Sequence, residues 1–188
     1  RAKTVLRHRR PRLSPVATGF GLAVLVHPLS IQLNHWITWL YPMSEETLGQ
    51  AESIQTSLFG SAYWWAPFLL IAVLPAVCEE LAFRGFILSG LRHLGHKWWA
   101  IGLSAVAFGA VHLFVQQKMS AAVLGLILGY LAIQTSSLWP CIAFHMTHNG
   151  LQLAAYKAAR YAEAHPDSTL AKLLAGESPH PHSPPPLA

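Results

Sequence analysis

The stretch AYWWAPFLLIAVLPAVCEELAFRGFILSGL, residues Ala62–Leu91, decides the fold. Its first part, Ala62–Cys78, contains no charged residue, and an apolar run of that length is typical of a membrane-spanning helix. The adjacent pair Glu79-Glu80 follows, with Arg84 four residues after the second glutamate. Charged side chains are costly inside a membrane, so those that occur there are usually paired or functional. The stretch therefore predicts a membrane helix that carries a functional site.

The composition of the whole chain indicates a polytopic membrane protein. Charged residues make up 11% of the 188 residues, against about 25% in an average soluble domain, and hydrophobic residues make up 53%. Several separate segments reach spanning length, which argues against a soluble protein with an apolar core. We expect an all-α fold, a polytopic transmembrane bundle of about five to six apolar helices plus an interfacial helical loop.

Composition also divides the chain into four parts. Residues 1–12 hold six of the 13 Lys and Arg residues and are expected to be a basic cytoplasmic segment or linker. Because this run directly precedes an apolar segment, its expected partner is membrane lipid and not nucleic acid. Residues 13–61 hold the first membrane helix and the interfacial loop, and residues 62–156 form the membrane core. Residues 157–188 are a tail whose Pro-rich end is expected to be disordered.

The apolar segments give expected bounds for the helices. The first is Leu13–Leu33, after which a loop begins in which Ser44 is a candidate helix start. Beyond Leu91, the core is expected to contain three more segments, Trp98–Val115, Met119–Gln134 and Trp139–Tyr156. A GxxxG-like spacing in the second of these favours close helix packing.

The two adjacent glutamates are expected to have different roles. Glu80 and Arg84 are four residues apart and share a helix face, so they can form the ion pair that makes a buried charge tolerable. Glu79 is rotated by about 100° from its neighbour and does not share that face. A carboxylate left free in an apolar site can act as a general base.

Two further polar insertions lie in later apolar segments. His112 and Glu79 each lie about 16 residues from a turn near Gly95, or about 24 Å along their helices, so the two side chains are expected to be level. His145 and Asn149 share one face of the last segment and could form an oxyanion site. A helix–helix hydrogen bond is the alternative for the amide. His148 is either a packing residue or an alternative ligand.

The same residues leave two kinds of site open. Glu79, His112 and His145 could hold a zinc ion with an open coordination position. No HExxH motif is present, and a metal-free site with a glutamate-activated water is equally good chemistry. We therefore expect no cofactor, with a divalent metal such as zinc as the alternative.

Three motifs in this order resemble those of the CAAX-protease and bacteriocin-processing family (CPBP, Abi-like) of intramembrane peptidases. The resemblance covers about Ala62–Tyr156, the core defined above. The motifs are Glu79-Glu80-x-x-x-Arg84, Phe108-x-x-x-His112 and His145-x-x-x-Asn149.

The resemblance implies an intramembrane endopeptidase that hydrolyses a peptide bond without a covalent enzyme intermediate. Glu79 would activate water with help from His112, and His145 with Asn149 would stabilise the oxyanion. The implied substrate is a peptide or protein, prenylated or a small bacterial peptide. Because the chain is short and carries no eukaryotic sorting signal, the expected location is a bacterial plasma membrane crossed several times. Some relatives are fused to a transporter permease domain, which the basic start would suit. The residues implied to support the architecture are Glu80, Arg84 and Phe108.

Two non-hydrolytic functions also fit intramembrane Glu and His residues. One is a membrane immunity or scaffold protein that uses this fold to bind a partner. The other is a component of a proton or ion pathway. The first predicts that Glu79→Gln leaves the function intact, and the second predicts an ion flux that depends on Glu79 and no cleaved product.

Overall fold

The computed structural model describes residues 13–60, 63 and 65–175. Within these residues the chain forms seven helices and no strand, which confirms the predicted all-α bundle. The predicted basic segment and the Pro-rich end of the tail lie outside the described residues. The helices are α1 (Leu13–Leu40), α2 (Glu45–Phe59), α3 (Trp65–Leu91), α4 (Lys97–Ala110), α5 (Val115–Thr135), α6 (Trp139–Ala164) and α7 (Thr169–Ala175).

Three of these helices, α1, α3 and α5, are long and apolar enough to cross a membrane. Only 11%, 28% and 33% of their most apolar windows are buried inside the protein. A soluble protein would bury such surface in its core, whereas here most of it faces outward. This outward apolar surface is that of an integral membrane protein.

The first helix is longer than predicted. It continues past Leu33 to Leu40 and ends before Tyr41-Pro42, where the proline disfavours helical backbone at the residue before it. The polar residue that suggested a loop, Asn34, instead accepts a hydrogen bond from the Ser120 hydroxyl on α5, 3.3 Å away. The predicted helix start in the following loop is confirmed, since the Ser44 side chain accepts from the Thr47 backbone N–H at the start of α2.

The ends of α4 and α6 also differ from the prediction. Helix α4 ends at Ala110, so His112 lies in the turn that follows and not inside the helix. The ring explains this end, because its Nδ1 donates to the Phe108 carbonyl, 3.0 Å away, and thereby satisfies one of the last helical acceptors. Helix α6 runs past Tyr156 to Ala164, since its Ala-rich sequence meets no helix breaker before Pro166.

Helix α3 carries the first motif and is wound unusually. Two stretches, Phe68–Val73 and Leu81–Leu88, are π-helical, and the second begins directly after Glu80. Such wide turns are rare and occur frequently at functional sites. The chain then reverses at Gly95, whose φ of 91° is a left-handed conformation that suits glycine.

Close contact between α4 and α5 depends on glycine, as the GxxxG-like spacing predicted. A Cβ on Gly125 would lie 2.9 Å from the Ala105 Cα, and one on Gly129 would lie 3.2 Å from an Ile101 methyl carbon. Small residues at these positions let the two helix backbones approach each other. The approach also positions the site, because the Gly125 carbonyl accepts a hydrogen bond from Arg84.

We expect Gly125→Ala to lower the thermal unfolding temperature of the purified protein in detergent. The added methyl group must push the α4 and α5 backbones apart, which typically costs about 1–3 kcal/mol. Gly102→Ala, on α4 with open space around its Cβ, is the matched control and should be neutral or stabilising. Equal unfolding temperatures for the two variants would show that the close approach does not contribute to stability.

Candidate active site

The Glu80–Arg84 ion pair is fully buried beneath the site. Arg84 Nη1 donates to Glu80 Oε1 over 2.9 Å, and both side chains are 0% exposed. The Arg84 Nη2 donates to the Gly125 carbonyl over 3.2 Å, and the guanidinium lies 4.4 Å from the centroid of the Phe108 ring. The predicted pairing is thus present, and it connects α3 to both α4 and α5. These additional contacts offset part of the cost of burying the charge pair.

The same glutamate fixes the orientation of His145 on α6. His145 Nδ1 lies 3.0 Å from Glu80 Oε1, and because a carboxylate only accepts, the hydrogen lies on Nδ1. The second ring nitrogen, Nε2, is then directed toward the other glutamate, with 3.8 Å between it and Glu79 Oε2. Glu80 and His145 are 65 residues apart in sequence and lie on different helices. The i, i+4 spacing within one helix could therefore not predict their contact.

Glu79 is free of the ion pair, as its helix position predicted. Its Oε2 is buried and has no hydrogen-bond partner among the described residues, although the side chain as a whole is 30% exposed. The 3.8 Å separation from His145 Nε2 exceeds a hydrogen bond. A buried acceptor without a partner is costly and is found where a functional site needs it.

A cavity of about 640 Å³ connects the other residues of the motifs. His112, His145 and Asn149 line it together with Phe108, while Glu79 contacts His145 without lining the cavity itself. The Phe108 ring contacts both imidazoles, and its centroid lies 5.1 Å from that of His112 and 5.7 Å from that of His145. The turn after α4 thus brings His112 to the same cavity as the α6 residues.

Asn149 makes the helix–helix hydrogen bond that was the alternative to an oxyanion role. Its Nδ2 donates to the Ile71 carbonyl over 3.0 Å. Ile71 lies four residues before Pro75, which has no N–H to return to that carbonyl, so the amide supplies a donor there. A carboxamide has two N–H groups, and the second remains available to a ligand in the cavity. Its role at an oxyanion stays a prediction.

Helix α1 also contributes to the site, which no sequence motif indicated. His27, on α1, lines the cavity, and its Nδ1 lies 3.4 Å from Nδ1 of His148. His148 is buried and also contacts Gln152 through Nε2, 3.0 Å away. The only signal in the sequence was a histidine within an apolar segment, which a packing role explains equally well.

The zinc alternative does not fit this arrangement. Among residues 13–60, 63 and 65–175 no three His, Cys, Asp or Glu side chains come together as metal ligands. The predicted set was Glu79, His112 and His145, and these three side chains are not brought together as metal ligands in this part of the chain. Metal independence stays a prediction.

Comparison with known protein families gives one match. Residues 61–151 match the family described as type II CAAX prenyl endopeptidase Rce1-like. No curated protein and no solved structure matches the chain. The matched range contains all three motifs and the helices α3, α4 and α5. The match to this protease family therefore covers residues 61–151 and agrees with the resemblance that the three motifs carry.

Proposed function

We propose that this protein is an intramembrane endopeptidase in which Glu79 activates a water molecule. One observation carries the proposal. The free Glu79 carboxylate lies 3.8 Å from Nε2 of a histidine whose ring is oriented by the buried Glu80. A base next to an oriented imidazole, beside a cavity, is the arrangement that general acid–base hydrolysis needs.

In the proposed reaction Glu79 takes a proton from water while the water oxygen attacks the carbonyl carbon of the scissile peptide. The negative charge develops on the carbonyl oxygen, which accepts from the second N–H of Asn149. For His145 to donate to the oxyanion as well, Nε2 must carry a hydrogen in addition to the one that Nδ1 donates to Glu80. The protonated Glu79 then transfers its proton to the nitrogen of the leaving amine, and the C–N bond breaks. His112 assists Glu79 in this proton transfer.

The thiols do not suggest a covalent route. Cys141 is buried and donates to the Leu128 carbonyl, while Cys78 is exposed. Cys78 directly precedes Glu79 in α3, and adjacent helix positions point in different directions. The proposed nucleophile is therefore water.

For the substrate, we propose a peptide or protein segment held at the membrane. The family is named for endopeptidases of prenylated CAAX proteins, and a prenylated chain or a small bacterial peptide is the corresponding candidate here. The proposed location is a bacterial plasma membrane, crossed several times. The outward apolar surfaces of α1, α3 and α5 support a site that substrates reach from lipid.

The test is to compare peptide termini in membranes of cells that express the wild type, Glu79→Gln or Glu163→Gln at matched levels. Glu163 is a suitable control for the same substitution, because its side chain is 63% exposed and far along α6 from the motif. New termini are expected with the wild type and the control and should be absent with Glu79→Gln.

Two other outcomes of this comparison would contradict the proposed peptidase function. Termini that persist in Glu79→Gln would assign the cleavage to another enzyme or another base. The absence of any difference, with all three proteins folded and abundant, would favour the immunity, scaffold or ion-pathway functions.

A further inference from the structure

A pair of histidines joins α1 to α6 at the wall of the cavity. The rings of His27 and His148 meet edge to face, with centroids 5.1 Å apart and an angle of 72° between the planes. Their Nδ1 atoms are 3.4 Å apart, the distance of a long hydrogen bond. His148 is only 3% exposed, whereas His27 is half-buried and lines the cavity.

The neighbouring amide determines which nitrogens carry hydrogen. Gln152 Nε2 donates to His148 Nε2 over 3.0 Å, so that nitrogen is the acceptor of the ring. A neutral imidazole has one acceptor and one donor, so His148 Nδ1 carries the hydrogen and donates to His27 Nδ1. By the same rule, the hydrogen of His27 lies on Nε2.

This Nε2–H is a hydrogen-bond donor that α1 can offer to the cavity. Ser30 and Asn34 lie on the same face of α1 and also line the cavity. The Ser30 hydroxyl donates to the His27 carbonyl over 2.7 Å, and Asn34 Oδ1 accepts from Ser120. The structure gives His27 Nε2 no partner among the described residues, and this atom is not buried.

The side chains that line the cavity also limit which ligand could accept a hydrogen bond from this donor. The described residues that line it include no Lys, Arg, Asp or Glu, but they include hydroxyl, amide, imidazole and apolar side chains. Charged groups lose hydration in such a place without gaining a partner, so they are excluded. An extended peptide segment without charged side chains suits it, because its backbone carbonyls accept hydrogen bonds.

We infer that His27, oriented by His148, is a substrate-binding residue whose Nε2–H donates to a backbone carbonyl of an uncharged peptide segment lying along α1. The inference rests on the proposed peptidase function. It assigns a role to α1, which precedes the family match at residues 61–151. His27 holds the substrate in both the ground state and the transition state, so it acts on binding and not on the chemical step.

Two substitutions at one position test this directly. The amide nitrogen of Gln reaches the position of imidazole Nε2, whereas that of Asn reaches only Nδ1. With a synthetic peptide that reproduces the segment cleaved in membranes, His27→Asn should raise KM about tenfold with kcat unchanged. His27→Gln should stay within about threefold of the wild-type KM. Gln32→Asn, exposed on α1 and outside the cavity lining, should leave KM unchanged.

The result that overturns the inference is an equal KM for the Asn and Gln variants, or a loss of kcat in both. Cleavage that Glu79→Gln does not remove would instead overturn the proposed function. A measurement without substrate separates the two. The ring ¹⁵N shifts of His27, identified by their loss in His27→Asn, should show Nε2 protonated and Nδ1 unprotonated near pH 7.5. The opposite tautomer would contradict the inference even if the protein is a peptidase.

Discussion

Arg84→Met is expected to destabilise the protein by about 3–5 kcal/mol, because it leaves the Glu80 carboxylate charged and buried without its partner. Methionine has a similar length and is unbranched, so lost volume contributes little. The readout is thermal unfolding of the detergent-solubilised protein, together with the fraction that remains monodisperse. An unfolding temperature like that of the wild type would mean that Glu80 is neutral or solvated.

The double variant Glu80→Met/Arg84→Met separates the two roles of the pair. Glu80 Oε2 and Arg84 Nε are buried with no hydrogen-bond partner among the described residues, so the pair is incompletely satisfied. Replacing both charges by apolar groups is therefore expected to recover most of the lost stability. Activity should not recover, because His145 has lost the carboxylate that orients it. Recovery of both would show that Glu80 has only a structural role.

His145→Asn is expected to lower turnover by about 10²- to 10⁴-fold, the range found for the loss of a positioned acid–base group. The asparagine amide occupies the place of Nδ1 and can still donate to Glu80, so the fold should be retained. What is lost is Nε2, the atom 3.8 Å from the Glu79 carboxylate.

The control for this change is His165→Asn, at an exposed histidine beyond the end of α6. Turnover by the control should equal that of the wild type at the same unfolding temperature. If His145→Asn retains turnover within about threefold while folded, the histidine does not take part in acid–base chemistry.

The parts of the fold that depend on local spacing could be predicted from the sequence. The length of the apolar segments predicted α3 and α5. The i, i+4 spacing predicted the Glu80–Arg84 pair, and a serine before two glutamates predicted the start of α2. The helix ends were less predictable. The end of α4 at Ala110 depends on a side chain, His112, returning to a carbonyl, which competes with an apolar pattern that continues to Val115.

Contacts between distant helices could not be read from spacing. The motifs named Glu79, His145 and Asn149, but the hydrogen bond from His145 to Glu80 depends on how α6 packs against α3. Likewise, His27 became part of the site only because α1 packs along α6 and brings it to His148. Helix periodicity specifies which residues share a face, and tertiary packing decides what that face meets.

The most direct test of the account is cleavage of the identified peptide by purified protein in liposomes, in ¹⁸O-labelled water, by the wild type and Glu79→Gln. We expect one ¹⁸O atom in each new carboxyl terminus within a single turnover, and a rate for Glu79→Gln that is lower by at least about 10³-fold in a protein that unfolds at the wild-type temperature. Glu79→Gln that cleaves within about tenfold of the wild type would contradict the account, because the water would then be activated by another group.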